Sequence, residues 1–430
     1  MLKKIRYTFV ILILTSFIFS KELDLKYSKI ISLNPVEDSS LVYTGLDLLV
    51  QNKFKTISTK NLTVVFGSAS YTRDNRHIVD VLKKEFPGQL ITLIQILESE
   101  IKTLSSGFVF HKVDPVSKTN VMNITPDKLE IRYKDIKGCN LLLYDLQDTG
   151  IRESSAVAVL IELLKLSARN RIPLIVLDRP NPINARVLEG PISTNSSVTK
   201  GCSLPIRHGL TIGELAIMIN EEKWLELPKP ARLYVIPMFN YKQSMWYDDT
   251  GLLLKFPFPE LVTVEAALSY SGLSFIEQTN LSYGDGTYTP FELIGAPWIS
   301  GERLVVSLNN QNFSGIEFSK TIFTPIKIEE MSTDPIYLGR ECSGFKITVT
   351  NRDTYEPVLV GSYIVALIAQ LYPHHFKWLN PDNVDSIFGS NEYRMMVELG
   401  GDVKKLYPVW KAKLTGYQIL RENYKLYQKE

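Results

Sequence analysis

The chain has 430 residues, 45% of them hydrophobic and 22% charged, which is enough apolar side chain for two or three domains and excludes a disordered protein. Its 48 basic and 46 acidic residues leave a formal charge of +2, and no basic stripe runs along it, so nothing electrostatic points to nucleic acid. Three cysteines, Cys139, Cys202 and Cys342, allow at most one disulfide, which excludes a disulfide scaffold. Cys-x-x-Cys and His-Glu-x-x-His are absent, and His374-His375 has no acidic ligand beside it, so no metal site is expected.

The first twenty residues open with Lys3, Lys4 and Arg6, continue as an apolar run from Tyr7 to Phe19, and end on Ser20 before Lys21-Glu22. That is the build of a secretory signal peptide, with a run short for a spanning helix. The expectation is an exported protein, periplasmic or extracellular, with residues 1–20 either removed or kept as a membrane anchor. Their removal takes away three cations and no anion, leaving a formal charge of −1.

From Leu62 onwards short apolar runs alternate with helical stretches: Leu62–Phe66, Leu90–Leu97, Asn140–Leu146, Pro173–Leu177 and Leu233–Pro237, separated by helices such as Arg76–Phe86 and Ala156–Ser167. Near-continuous apolar runs joined by helices predict a parallel sheet covered on both faces, an α/β domain over residues 21–255. The first of these strands is followed by Gly67-Ser68-Ala69-Ser70 rather than Gly-x-Gly-x-x-Gly, so no dinucleotide or other cofactor is expected. Beyond about residue 255 come a helix at Val264–Tyr270, a glycine-containing loop at Ser282–Thr289, strands near Gly315–Phe318 and Phe345–Thr350, and a helix at Val358–Leu371. These predict a smaller α+β domain over 256–430, with a cleft between the two.

Polar segments fall at the predicted strand ends. Asp178-Arg179-Pro180-Asn181-Pro182 follows the strand ending at Leu177, and its two prolines hold Asp178, Arg179 and Asn181 in a stiff loop where open α/β sheets bind ligands; a structural ion pair and turn is an equally good reading. Glu98-Ser99-Glu100, Asp145-Leu146-Gln147-Asp148 and Arg207-His208 occupy similar positions. Trp246-Tyr247-Asp248-Asp249 places aromatic rings beside two carboxylates, which suits a sugar, or equally a surface turn. Asn280, in Thr279-Asn280-Leu281-Ser282, and Glu292, in Thr289-Pro290-Phe291-Glu292, are further loop candidates.

Taken in order, Asp178 to Asn184, Leu188-Glu189-Gly190-Pro191, Pro205 to Ala216, Met245 to Leu252, Thr279 to Ser282 and Pro290 to Ile299 resemble the exo-β-N-acetylmuramidase family of the NamZ type, long filed as a domain of unknown function. The resemblance covers about residues 45 to 427. It implies a Rossmann-like doubly wound domain joined to a smaller one, with a cleft that removes terminal N-acetylmuramic acid from peptidoglycan fragments. It further implies that Glu98 is catalytic and that Asp148, Asp178, Arg179, Asn181, Glu189, Arg207, His208, Asp248, Asp249, Glu277, Asn280 and Glu292 contact substrate. Glycoside hydrolysis takes two carboxyl groups, and Glu100, Glu189 and Glu277 are candidates for the second.

Several of the family's cleft motifs are altered. Its Pro-Glu-His-Gly is Leu97-Glu98-Ser99-Glu100, its Asn-His-Thr-Gly is Gly67-Ser68-Ala69-Ser70, its Arg-Phe-Tyr-Thr-Tyr is Arg152-Glu153-Ser154-Ser155-Ala156, and its Gly-Arg-Gly-Thr is Gly284-Asp285-Gly286-Thr287. A glutamate expected in the following helix aligns with Lys165. Two readings stand: a glycosidase acting on an altered cell-wall sugar, and a non-catalytic envelope protein that binds saccharide or serves structurally. In the second reading Glu98 is an ordinary solvated glutamate at a strand end.

Overall fold

The computed structural model describes residues 23–36, 40–85, 89–97, 110–113, 119–125, 129–194, 196, 198, 199, 201–329 and 331–429. Residues 1–20, expected to be a signal peptide, and Glu98, Ser99 and Glu100 lie outside the described residues. Among the described residues no helix is long and apolar enough to cross a membrane.

The first domain is built on an eight-stranded sheet: β1 (Ser28–Ile30), β2 (Leu62–Phe66), β3 (Leu90–Ile96), β4 (Phe110–Val113), β5 (Asn120–Ile124), β6 (Leu141–Asp145), β7 (Leu174–Leu177) and β8 (Leu233–Ile236). Their spatial order is β1-β8-β7-β6-β2-β3-β5-β4, and only β4 runs antiparallel to its neighbour. Side chains alternate between two buried faces. Val64 and Leu143 join α1 (Gly45–Gln51) and α2 (Ile78–Glu85) on one side, while Val65 and Tyr144 join α3 (Ser155–Asn170) and α4 (Ile212–Glu221) on the other. Burial on both sides explains why these strands read as continuous apolar runs.

The second domain pairs β9 (Leu293–Ala296), β10 (Ile316–Phe323) and β11 (Cys342–Val349) antiparallel, in the order β10-β11-β9. Around this sheet lie α5 (Val264–Leu273), α6 (Gly301–Asn309), α7 (Pro357–Leu371), α8 (Pro381–Phe388), α9 (Glu392–Glu398) and α10 (Leu406–Arg421). Helices α5 and α7 cross at two glycines: a Cβ on Gly272 would meet the Pro357 carbonyl at 1.9 Å, and one on Gly361 would meet the Gly272 carbonyl at the same distance.

The domains share one apolar cluster, in which Ile151, Ile183 and Ile206 of the first pack with Phe275, Phe388 and Trp410 of the second. The expected boundary at 255/256 separates the two sheets, but the chain afterwards returns. The Tyr417 hydroxyl donates to the His208 carbonyl, Arg421 donates to the Gly209 carbonyl, and the Leu426 N–H donates to Glu214. Residues 417–428 therefore complete a wall of the first domain.

Candidate functional site

The strand order reverses at β2: the chain leaves it towards β3 on one side and later resumes at β6 on the other. A crevice opens beyond the carboxyl ends of strands at such a switch point. Here its floor is Gly67–Ser70 after β2, Asp145–Asp148 at the end of β6, and Asp178-Arg179 after β7.

These groups hold one another. Arg179 makes a two-pronged ion pair with Asp145, at 2.6 and 2.7 Å, and also donates to the Tyr71 carbonyl at 3.1 Å. Both partners are almost fully buried, a setting in which a planar guanidinium fork suits a carboxylate better than an ammonium does. The Ser70 hydroxyl donates to the Asp145 carbonyl and accepts from the Gly67 N–H, and Ser68 donates to the Pro257 carbonyl at 2.9 Å. The two serines thus fasten the β2 loop to β6 and to the inter-domain linker. Gln147 ties the neighbouring loops by donating to the Asp148 and Pro180 carbonyls, each at 2.8 Å.

Asp178 sits under α4, where one oxygen accepts from the Gly213 N–H at 2.7 Å and the other from the Thr211 hydroxyl at 2.7 Å and from the Tyr427 hydroxyl. Gly213 permits this approach, since a Cβ there would lie 2.6 Å from the Asp178 carboxyl carbon. Burial pushes the Asp178 carboxyl up to about 7; the Tyr427 hydrogen bond opposes the rise and nearby Glu214 adds to it. Asn181 closes its own turn on the Ile183 N–H and donates to the Leu210 carbonyl. Asp148 pairs with His208 at 3.0 Å and accepts from the Thr149 N–H.

Glu189 and Arg207 face each other at 3.4 Å at the domain boundary. The other Glu189 oxygen accepts from the Val358 and Leu359 N–H groups, so this carboxylate caps α7 of the second domain. Burial pushes the Glu189 carboxyl up to about 7 against the opposing pull of Arg207. Of the first-domain candidates named from sequence, Asp148, Asp178, Arg179, Asn181, Glu189, Arg207 and His208 are buried framework beneath or beside the crevice.

The remaining candidates lie elsewhere. Asp248 is exposed and, with Glu265, grips Arg352; Asp249 accepts from the Trp246 N–H. Asn280 joins the His375 and Lys377 backbone, and Glu292 pairs with Lys346 at 3.7 Å. Glu277 is exposed within electrostatic reach of Tyr283, whose phenol is held well above its ordinary value by burial and by the charges of Glu277, Asp285 and Glu260.

Lys165, aligned in sequence with a cleft glutamate, is not a cleft residue. It stands ten residues into α3, roughly 15 Å back along the helix from its start near the strand ends, and pairs with Glu162 at 2.6 Å. Glu153 is half-buried against Arg152, whose guanidinium also donates to the Pro191, Leu204 and Ile387 carbonyls and so spans both domains. Among the described residues no group of three or more histidine, cysteine or acidic side chains could hold a metal ion.

Sequence reasoning placed Asp145, the last residue of an apolar strand, in a polar strand-end segment without giving it a role at the site, and it left out His77, which precedes α2. The His77 ring stands edge-on to Phe66 and Tyr71, at 5.3 and 5.0 Å, and burial lowers its basicity. Polarity at the end of β6 was the available signal for Asp145; nothing in the sequence pointed to His77.

Residues 62–265 match the family described as exo-beta-N-acetylmuramidase NamZ, N-terminal, and residues 268–427 match the corresponding C-terminal family. The chain belongs to the NamZ family. The peptidoglycan beta-N-acetylmuramidase NamZ of Bacillus subtilis is 30% identical over 400 residues, 92% of this chain and 94% of its own. Two crystal structures of DUF1343 family proteins from Bacteroides fragilis share this chain's fold, with TM-scores of 0.79 and 0.68 at 22% and 24% identity, each over 90% of this chain and 99% of theirs.

Proposed function

We propose that this chain is an exported, saccharide-binding member of the NamZ family that takes the terminal N-acetylmuramic acid of peptidoglycan fragments in the switch-point crevice without the family's hydrolysis. The observation that carries this reading is the commitment of the crevice floor. Asp145 and Asp148 are held by Arg179 and His208, and the serines of the β2 loop are held by carbonyls, so these groups fix the shape of the floor and transfer no proton. Among the described residues of this edge that leaves no uncommitted carboxyl to partner Glu98, and one carboxyl group does not complete either glycosidase mechanism. The basic start and apolar run of residues 1–20 support export.

One observation favours a second reading, a glycosidase with a rebuilt cleft: the buried Tyr283 phenol lies in the field of Glu277, Asp285 and Glu260, any of which is a partner carboxyl for Glu98. Release of a chromogenic aglycone from a β-N-acetylmuramide, with Glu98→Gln run alongside, separates the two. Saccharide binding without turnover is the expected result. Turnover that Glu98→Gln abolishes would establish the second reading.

A further inference from the structure

One cation at the crevice has no carboxylate partner among the described residues. Lys255, in the linker between the domains, holds its ammonium 3.9 Å from the centre of the Tyr71 ring. Tyr71 is part of the switch point, because its carbonyl accepts from Arg179, which is itself locked to Asp145, and its ring rests edge-on against His77. The linker is fixed over this spot at two points. Ser68 of the β2 loop donates to Pro257, and the Tyr247 hydroxyl donates to the Leu253 carbonyl at 3.2 Å while standing in the field of Arg179, Asp47 and Asp145. The other basic groups nearby are occupied or muted. Arg73 donates to the Val42 and Thr250 carbonyls, Arg179 is paired, and burial lowers the basicity of His77.

An ammonium over an aromatic face is held in place but keeps donors to offer, and the ring does not neutralise it. Resting on the proposed saccharide site, we infer that Lys255 is a specificity-determining residue that pairs with the carboxylate of the 3-O-lactyl arm of a terminal N-acetylmuramic acid. That arm is the group that separates N-acetylmuramic acid from N-acetylglucosamine, so one cation at the crevice wall is enough to tell the two sugars apart. Tyr71 fixes the direction of the ammonium and Ser68 fixes the linker that carries it.

The test is an NMR titration of the purified protein, and of its Lys255→Met and Lys255→Arg variants, with N-acetylmuramic acid, N-acetylglucosamine and N-acetylmuramoyl-L-alanine. Loss of one charge-assisted contact weakens binding by about tenfold to a hundredfold. The expected result is a preference of that size for N-acetylmuramic acid in the unaltered chain. Lys255→Met should remove it with N-acetylglucosamine affinity unchanged, and Lys255→Arg should largely restore it. A preference that survives Lys255→Met, or an equal loss for both sugars, overturns the assignment. So does N-acetylmuramoyl-L-alanine, whose carboxylate lies one residue farther out, binding as tightly and with the same dependence on Lys255. If the unaltered chain binds none of the three, the saccharide site fails and this assignment with it; binding indifferent to Lys255 overturns only the assignment.

Discussion

Arg179 reaches Asp145 with Nε and Nη2 and the Tyr71 carbonyl with Nη2 again, so one guanidinium sets the spacing of the loops after β2, β6 and β7. Replacing it with methionine strands a buried carboxylate, a change that typically costs about 3–5 kcal/mol. Urea unfolding of Arg179→Met should show a loss of that order. Arg179→Lys should recover only part of it, because an ammonium lacks the fork. A loss under about 0.5 kcal/mol, the usual effect of a surface substitution, would mean that the pair does not organise the floor.

Asp178 gives a pH prediction with a definite sign. Its folded carboxyl titrates at about 7 and its ordinary value is 3.8, so between those two values the folded chain binds more protons than the unfolded one. Its contribution to stability is therefore fully present below about 4 and is lost as the pH rises through about 7. Denaturation midpoints measured between pH 4.5 and 7.5 should fall with pH, and more steeply in the parent chain than in Asp178→Asn. Parallel curves for the two proteins would remove Asp178 as the source.

Tyr427 donates to Asp178 and accepts from the Met238 N–H, so Tyr427→Phe removes a donor from a buried carboxyl group and an acceptor from β8's neighbour. The expected loss is about 1–3 kcal/mol in unfolding free energy, the penalty of leaving a buried polar group unmet. Asp178→Asn combined with Tyr427→Phe should lose less than the two single changes together, since they share one contact.

The crossing of α5 and α7 tolerates no side chain at Gly361, where a Cβ would stand 1.9 Å from the Gly272 carbonyl. Gly361→Ala should push the helices apart and lower stability by about 1–3 kcal/mol through overpacking, although alanine is the better helix former. A thermal midpoint that rises would show that the crossing relaxes freely.

The sheet was legible because its strands are buried on both faces. Leu62–Phe66 was read with its observed limits, and the runs at 90, 140, 173 and 233 were placed within a residue or so of β3, β6, β7 and β8. Strand β1 is three residues of Ser-Lys-Ile and α4 is buried nearly all round, so neither carries a period strong enough to read. The return of residues 417–428 to the first domain depends on contacts some two hundred residues apart in sequence, such as Tyr417 with His208, and periodicity is blind to them.

At the site, the sequence located the polar loops and left open how their side chains are used. Asp178, Arg179 and Asn181 were weighed equally as ligand contacts and as an ion pair with a turn; Arg179 is paired, though with Asp145 rather than with Asp178. Lys165 misled because a match by counting takes no account of where a helix carries its residue; three helical turns separate it from the strand ends. Lys255 carries no motif, and its position over Tyr71 exists only once the linker is folded.

Because residues 417–428 lie against the first domain after the chain has built the second, the second domain is in effect an insert clasped within the first. The eight strands are synthesised early, yet the lining of Asp178 and Glu214 arrives only when the insert has folded compactly enough to deliver Tyr427 and Leu426. Maturation of the crevice is therefore coupled to the integrity of both halves. A lesion deep in the second domain, far from the crevice, should register as a loosened floor in the first.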